Sequence, residues 1–264
     1  MPTAAVNGID VHYQRSGAGE RLLYLPGSGA TLATSAVLLT PFAERFDVLA
    51  HDQRGLGLTS VPPGPYAMAD YAADAAGLLD HVGWERCRVV GVSFGGMVAQ
   101  ELAVTYPERV ERLALLCTSP GGAGGSSYPL QELASLAPRD RQALATTLLD
   151  TRFTPAWLAE HPADAQLAEF MASRASAPRT EEQRRGENEQ LEARRHHDVW
   201  DRLERIRCPT LVACGRHDGI APLANSEAIA GRVRSADVRC YDGGHAFLQD
   251  PAAFPEVVEF LAAP

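Results

Sequence analysis

The 264-residue sequence contains no lysine, so all of its strongly basic side chains are arginines. This absence excludes chemistry that needs a side-chain amine: a Schiff base, a pyridoxal phosphate anchor, a P-loop lysine and a Ser-Lys dyad. Positive charge is also scarce, because 24 basic residues face 33 acidic ones and the net charge is −9. Nucleic acid and acidic membrane surfaces bind basic faces, so we expect neither as a partner.

Cysteine pairs and long apolar runs are lacking as well. The five cysteines are scattered without a Cys-x-x-Cys spacing, which predicts reduced, buried thiols rather than a zinc or redox site. Neither His-Glu-x-x-His nor His-x-His occurs, which disfavours a zinc lactonase. We expect no secretory signal, because Met1–Arg15 lacks a basic segment followed by an apolar region. We expect no membrane span, since no apolar run approaches about 18 residues. These features together predict a cytoplasmic protein.

Strand and helix patterns alternate along most of the chain. The run Ala4–Val6, the pair Asn7-Gly8 and the run Ile9–Tyr13 predict a hairpin with a tight turn. Alternation of strands with helices implies a parallel sheet with right-handed crossovers. The further strands are predicted at 22–25, 46–50, 87–92, 113–117, 210–214 and 238–241, and the helices at 69–82, 94–106, 223–233 and 254–261.

One segment departs from this alternation. Residues 121–205 begin with a Gly/Ser-rich stretch and continue as polar, alanine-rich sequence without a strand pattern. We interpret them as a helical insertion, because they are too long for a connection between elements. The core would then consist of residues 1–120 and 206–264. The helical stretches of the insertion are interrupted by prolines at positions 138, 155, 162 and 178.

The most informative motif is Gly91-Val92-Ser93-Phe94-Gly95-Gly96, which lies between a strand pattern and a helix pattern. Gly-x-Ser-x-Gly in that context is typical of a nucleophile elbow, a tight turn that presents a serine hydroxyl at the end of a sheet. A serine hydroxyl is a poor nucleophile unless a base takes its proton and a third group orients that base. The motif therefore predicts partners for Ser93 elsewhere in the chain.

Both partners can be found by their position after late strands. His245 follows the last predicted strand and precedes Asp250-Pro251, a pair that we interpret as a helix N-cap and first helical residue. The orienting carboxylate is expected between the serine and the histidine, at the end of a strand. Asp218 follows the strand pattern 210–214 in that way. We predict a catalytic triad of Ser93, His245 and Asp218.

Acyl transfer also needs N–H donors for the developing oxyanion, each worth about 3–4 kcal/mol in the transition state. The backbone N–H of Phe94, which follows the nucleophile, is the first candidate. The second is expected in a loop after an early strand, and Gly27-Ser28-Gly29 is such a loop. We therefore predict that the amides of Ser28 and Phe94 form an oxyanion hole.

Together these motifs resemble the α/β-hydrolase superfamily, and within it the cap-bearing branch of esterases, enol-lactonases and cofactor-free haloperoxidases. The resemblance implies a mostly parallel, eight-stranded-type sheet with helices on both faces, a helical cap over the site, and no cofactor or metal. Pro26 stands where the family usually has histidine, although the backbone donor does not depend on that side chain. The matching segments are 26–29, 52–60, 91–96, 106–110, 215–218 with Pro222, and 244–251.

The resemblance implies a serine hydrolase that cleaves a small carboxylic ester or lactone through an acyl-enzyme intermediate. A thioesterase, a C–C bond hydrolase, a perhydrolase or haloperoxidase-like enzyme, and a slowly hydrolysing receptor would share the same residues and stay open. The oligomeric state also stays open, and a homo-oligomer is one of the alternatives. A dinucleotide-binding oxidoreductase with Asp52 on a ribose is disfavoured, because Leu32 stands where the motif needs a small residue.

Substrate contacts are expected from the insertion. Asp52 and Arg54 are interpreted as scaffold beside the site, and His196-His197 as part of a solvated helix face rather than a metal site. Apolar residues at helical spacing fill a plain core as readily as they line a pocket. The candidates for pocket lining are Trp157, Phe170, Met171 and Trp200.

Overall fold

The computed structural model describes residues 2–175 and 179–264, which are organised around an eight-stranded sheet. The sheet order is β1-β2-β4-β3-β5-β6-β7-β8, with β2 antiparallel to both its neighbours and all later pairs parallel. This confirms the expected mostly parallel sheet. The strands are Thr3–Val6 (β1), Ile9–Ser16 (β2), Glu20–Leu25 (β3), Phe46–His51 (β4), Cys87–Val92 (β5), Val110–Leu116 (β6), Thr210–Gly215 (β7) and Ala236–Tyr241 (β8).

Helices cover both faces of the sheet, as the resemblance implied. On one face, Leu23 and Val89 pack in a cluster that includes Tyr71, and on the other Leu22 and Val90 pack in a cluster with Phe42. Adjacent residues of one strand thus serve opposite clusters. The α-helices are Leu32–Ala43 (α1), Met68–His81 (α2), Phe94–Thr105 (α3), Pro138–Leu149 (α4), Pro155–Glu160 (α5), Pro162–Ala175 (α6), Glu181–Arg195 (α7), Leu223–Arg232 (α8) and Ala253–Ala262 (α9).

The central strands explain why the site forms at one edge of the sheet. They read as continuous apolar runs because both faces are buried, as is usual for parallel sheets. Their register pairs Leu25 with Gly91 and Val92 with Leu116, so β3, β5 and β6 end side by side. Loops that follow the carboxyl ends of parallel strands therefore meet at this edge, where ligands of open α/β sheets bind.

Helix boundaries show where the sequence patterns were informative. Helix α1 was not predicted, because its sequence carries Pro41 and lacks charged first and last turns. The helix start assigned to Asp250-Pro251 was wrong: α9 begins at Ala253, and the Asp250 carboxylate accepts the N–H of Ala252 just before it. Prolines 138, 155 and 162 each open a helix, where a missing N–H is tolerated. Pro178 lies outside the described residues.

The segment between β6 and β7 contains α4 to α7 and reaches back over the strand ends. Helix α7 buries Gly186, Gln190, Ala193 and Arg194 on one side. A Cβ at Gly186 would overlap the carbonyl oxygen of Gly55, so this helix lies directly on the backbone of the core. Among the described residues, no helix combines the length and apolar character that crossing a bilayer requires.

Candidate active site

The turn between β5 and α3 is a strained elbow. Ser93 has φ 54° and ψ −113°, in a region that L-residues rarely adopt. A Cβ at Gly91 would overlap the backbone of Gly95, and a Cβ at Gly95 would overlap the carbonyl oxygen of Leu25. Close backbone contacts thus leave no room for a side chain at either glycine of the motif. Ser93 lies between them, at the turn that follows the end of β5.

Hydrogen bonds to β6 and the residues after it fix the backbone of this elbow. The N–H of Ser93 donates to the carbonyl oxygen of Leu116 at 2.8 Å. The hydroxyl of Thr118 donates to the carbonyl oxygen of Ser93, also at 2.8 Å. Hydrogen bonds to both the N–H and the carbonyl oxygen of Ser93 therefore fix its backbone conformation. The fixed backbone in turn restricts where the hydroxyl can lie.

The three residues predicted as a triad lie in one hydrogen-bonded chain. The Nε2 atom of His245 lies 2.9 Å from the Oγ of Ser93, and its Nδ1 lies 2.7 Å from the Oδ2 of Asp218. A carboxylate accepts hydrogen bonds, so the proton of a neutral imidazole sits on Nδ1 and the lone pair of Nε2 faces the hydroxyl. This tautomer is the one that accepts a proton from serine.

Asp218 is buried, and the protein occupies both of its oxygens. While Oδ2 faces His245, Oδ1 accepts the N–H groups of Ile220 and Ala221, each at 2.8 Å. The loops that carry Asp218 and His245 pack against each other, because a Cβ at Gly215 would overlap the backbone of Gly244. The carboxylate is consequently fixed in orientation as well as in position.

The end of α4 joins the two loops that follow β7 and β8. The carbonyl oxygen of Leu149 accepts the N–H of His245 at 2.6 Å, and that of Leu148 accepts the N–H of Gly219 at 3.1 Å. In return, the N–H of Thr151 donates to the carbonyl oxygen of His217 at 2.9 Å. Sequence patterns gave no sign of this support, because backbone atoms make all three bonds.

The amides predicted for the oxyanion hole lie free beside Ser93. Phe94 is the first residue of α3, so its N–H has no partner within the helix. In the part of the chain that the structure describes, neither this N–H nor that of Ser28 donates a hydrogen bond. The loop of Ser28 touches the elbow, since a Cβ at Gly27 would lie 3.5 Å from the Cβ of Ser93.

Two glutamines brace the loop that carries Ser28. Gln53 donates its side-chain amide to the carbonyl oxygen of Pro26 at 2.7 Å. The Oε1 of Gln190, on α7, accepts the N–H of Gly29 at 2.8 Å. The loop is therefore tied both to the loop after β4 and to α7. Sequence reasoning missed Gln190, because a lone glutamine in a charged helix carries no signal.

The Asp52–Ser60 loop makes the contacts of a scaffold. The carboxylate of Asp52 accepts the N–H groups of Leu32 at 2.7 Å and Leu58 at 2.9 Å, and it faces His12. Arg54 forms an ion pair with Asp74. Because its oxygens are bonded within the protein, Asp52 is unsuited to the ribose contact that a dinucleotide-binding enzyme would need.

The structure does not bring the four lining candidates together around Ser93. Trp157 stacks on His161 and donates its indole N–H to Asp164, while Phe170 and Met171 are 56% and 38% exposed. Trp200 packs under Gly124, and its ring lies 4.4 Å from the guanidinium carbon of Arg232. A role in lining the pocket stays a prediction for all four.

Of the two adjacent histidines His196 and His197, the first is exposed to solvent and the second is buried. The side chain of His196 is 73% exposed, as expected for a solvated face, but His197 is only 5% exposed. The expectation was wrong for His197 because α7 ends at Arg195 and the chain turns inward there. Burial lowers the pKa of His197 to about 4, against a smaller opposing effect of Glu101. It is therefore neutral at pH 7.

A cavity of about 160 Å³ lies between the first turn of α3, the residues after β6 and the end of α7. Its walls include Met97, Ser119 and Arg194. A larger depression of about 510 Å³, bordered by Glu20 and Glu111, lies at the amino ends of the central strands. It is at the opposite edge of the sheet from Ser93, so it cannot serve a reaction there.

Sequence and structure comparisons place the chain among known proteins. A sequence profile of the α/β hydrolase fold matches residues 20–251. A poly(3-hydroxyalkanoate) depolymerase of Ectopseudomonas oleovorans is 32% identical over 252 residues, 91% of this chain and 83% of its own length. The 3-oxoadipate enol-lactonase 2 of Acinetobacter baylyi is 25% identical over 261 residues, 97% of this chain and 94% of its own.

A solved structure gives the same result in three dimensions. A hydrolase from Pseudomonas aeruginosa superimposes with a TM-score of 0.79 and 29% identity, covering 99% of this chain and 98% of that one. The match of the profile to most of the chain agrees with the sheet order and with the elbow at Ser93. The protein belongs to the α/β-hydrolase family and is an enzyme of that hydrolase type.

Proposed function

We propose that the protein is a serine hydrolase that cleaves a small carboxylic ester or lactone through an acyl-enzyme intermediate. The observation that carries the proposal is the hydrogen-bonded chain from Ser93 through His245 to Asp218. Relatives named as a 3-oxoadipate enol-lactonase and a poly(3-hydroxyalkanoate) depolymerase support this substrate class. No cofactor is required, because serine, imidazole and carboxylate supply nucleophile, base and orienting charge.

Acylation begins when Oγ of Ser93 attacks the carbonyl carbon of the substrate. At the same time Nε2 of His245 takes the proton of the Ser93 hydroxyl. The carbonyl oxygen gains negative charge, which the free N–H groups of Phe94 and Ser28 stabilise. Asp218 stabilises the imidazolium without taking its proton. The imidazolium then protonates the leaving alkoxide oxygen as its bond to carbon breaks, and the acyl group stays on Ser93.

Deacylation repeats these steps with water. His245 removes a proton from a water molecule whose oxygen attacks the acyl carbon, and the same two amides hold the oxyanion. Collapse breaks the bond to Ser93, whose oxygen recovers the proton from His245. The carboxylic acid leaves, and the three residues return to their starting protonation states.

The inserted segment supplies the remaining walls of the site in this proposal. Residues 121–205 form a cap over a core made of 1–120 and 206–264. The bond from Gly29 to Gln190 and the bond from His245 to Leu149 support it, since each joins the core site to the insertion. Substrate selection by the cap follows, because the core contributes mainly the reacting groups.

Ser93→Ala is the direct test. We expect kcat for a short p-nitrophenyl ester to fall at least about 10⁴-fold, since the nucleophile is lost. Ser135→Ala, which removes an exposed serine of the insertion, is the matched control and should leave turnover unchanged. A fluorophosphonate reagent should label the wild-type peptide that contains Ser93, as read by mass spectrometry. Retained turnover in Ser93→Ala would overturn the mechanism.

Turnover on a panel of substrates separates the alternatives that use the same residues. Esters, lactones and thioesters of graded acyl length should give the highest kcat/KM with an ester or lactone. Preference for a thioester, or for cleavage of a C–C bond, would reassign the reaction while keeping the triad. Rates far below one per second on all substrates would favour a receptor.

A further inference from the structure

Arg194 is buried with most of its hydrogen-bonding capacity unused. It lies in the last turn of α7 and is 5% exposed. One terminal nitrogen donates to the carbonyl oxygen of Tyr128 at 2.7 Å. Its Nε and the other terminal nitrogen are buried and have no partner among the described residues. Unsatisfied charged donors are costly to bury, so this arrangement calls for an explanation.

Arg194 is one of the residues that line the 160 Å³ cavity, and the composition of that lining suits an anion. Within the described residues, the lining contains Arg194, Arg195, His197 and three serines but no aspartate or glutamate. Met97 and Pro129 supply an apolar side. The volume equals that of about five water molecules, which is enough for a carboxylate on a short chain.

The protein itself does not neutralise this charge. Asp218 attracts Arg194, but both its oxygens are bonded to His245 and to backbone N–H groups. Burial lowers the pKa of Arg194 to about 10, and Asp218 opposes that effect. Arg194 therefore stays ionised at neutral pH, with two N–H-bearing nitrogens unbonded.

The cavity is next to the reacting serine. Met97 lies one helical turn after Ser93, about 6 Å along the axis of α3. Ser119, another wall residue, follows Thr118, which donates a hydrogen bond to the carbonyl oxygen of Ser93. A group bound at Arg194 can therefore belong to the same molecule as a carbonyl group placed at Ser93.

We propose that Arg194 binds a carboxylate of the substrate, so that the ester or lactone hydrolysed at Ser93 carries an anionic group a few atoms from its carbonyl. The inference rests on the proposed function for the reaction itself. Arg194 can offer the carboxylate two N–H bonds that no protein group uses, and charge-assisted pairs of this kind are the strong ones. Arg194 thereby selects the substrate by charge.

A pair of esters that differ only in charge tests this selection. The mono-p-nitrophenyl ester of hexanedioic acid is compared with its methyl ester, after subtraction of the uncatalysed rates. We expect wild-type kcat/KM to be at least about tenfold higher for the free acid. Arg194→Gln should lower kcat/KM at least about tenfold more for the charged ester than for the neutral one, mainly through KM, and so remove the preference. Arg184→Gln, which removes an exposed arginine from the same helix, should change neither.

Calorimetry with hexanedioate tests the site without turnover. Ser93→Ala protein should bind this dianion, and the double variant with Arg194→Gln should bind it at least about tenfold more weakly. Loss of turnover in Ser93→Ala tests the proposed function separately, so the two proposals can fail independently. If Arg194→Gln does not fold, the wild-type preference and the titration of Ser93→Ala still decide. Equal rates for the two esters, or an equal loss on both, would overturn the inference.

Discussion

The strand-end loops that hold Asp218 and the inner side of α7 treat buried polar groups in opposite ways. In the loops, both oxygens of Asp218 are bonded to His245 and to two backbone amides. On α7, two nitrogens of Arg194 and the side-chain amide nitrogen of Gln190 are buried without a partner in the described part of the chain. The two regions are adjacent, since the charge of Asp218 acts on Arg194 and opposes the lowering of its pKa by burial.

This difference distinguishes residues that orient reacting groups from residues that can bind a substrate. A group whose hydrogen bonds are all made within the protein is oriented before substrate arrives, which suits a residue that must direct a proton. A buried group with unused donors gains most from a ligand, because in a low-dielectric surrounding an unmade bond is costly and a made one is strong. The loops therefore fit chemistry and the side of α7 fits substrate selection.

Asp218→Asn should have the largest effect, because it removes the carboxylate that orients His245. The amide can still accept the N–H groups of Ile220 and Ala221, but it presents its NH₂ group to Nδ1 of His245. That favours the wrong imidazole tautomer, so we expect kcat for a p-nitrophenyl ester to fall about 10³- to 10⁴-fold. Asp242→Asn removes a carboxylate that is 74% exposed and serves as the control. A loss below about tenfold would show that Asp218 does not orient the base.

Gly186→Ala tests the docking of α7. The new Cβ would overlap the carbonyl oxygen of Gly55, and such overpacking destabilises folding by about 1–3 kcal/mol. Gly231→Ala in α8 is the matched control, because a Cβ there meets nothing within 4 Å. Since alanine favours a helix more than glycine does, this variant should raise the free energy of unfolding by about 0.5–1 kcal/mol. Urea denaturation measures both. Equal effects of the two substitutions would contradict close docking of α7.

His197 should make stability depend on pH. Its folded pKa is about 4 and the unfolded value is about 6.5, so between these values the unfolded chain binds more protons. The contribution of His197 to the free energy of unfolding is complete above pH 6.5. It is lost as the pH falls towards 4, by up to about 1.4 kcal/mol per pH unit.

The neighbouring histidine provides the control for that slope. His197→Asn should reduce the pH dependence of urea denaturation between pH 7 and pH 5, leaving the share of His51, whose pKa burial lowers to about 4. His196→Asn changes an exposed side chain and should keep the wild-type slope. An unchanged slope in His197→Asn would mean that this ring is not buried in neutral form.

Sequence reasoning succeeded where local geometry demands particular residues. The elbow requires glycine at 91 and 95, and the strand before it was predicted with its observed bounds, 87–92. The positions of Asp218 and His245 after late strands, in the expected order after Ser93, selected residues that prove to be hydrogen-bonded. Their catalytic roles stay predictions until turnover is measured.

It failed where tertiary packing decides. Arg194 and His197 lie in a run of charged residues that is typical of a solvated helix, and no pattern reveals that one side of it is covered. Helix α1 has mostly uncharged residues and an internal Pro41, so its helical form depends on packing of Leu39 and Phe42 against the sheet. Such burial depends on elements distant in sequence.

The bonds from the end of α4 to the loops of Asp218 and His245 have a mechanical consequence. Because Leu148, Leu149 and Thr151 bond to the two loops through main-chain atoms, a displacement of the end of α4 would pull on both loops. A swing of α4 away from the core would carry the base from the serine and stop turnover at that moment. In the proposed mechanism we therefore expect the end of α4 to stay in place while His245 transfers the proton, so that α4 is part of the support of the base.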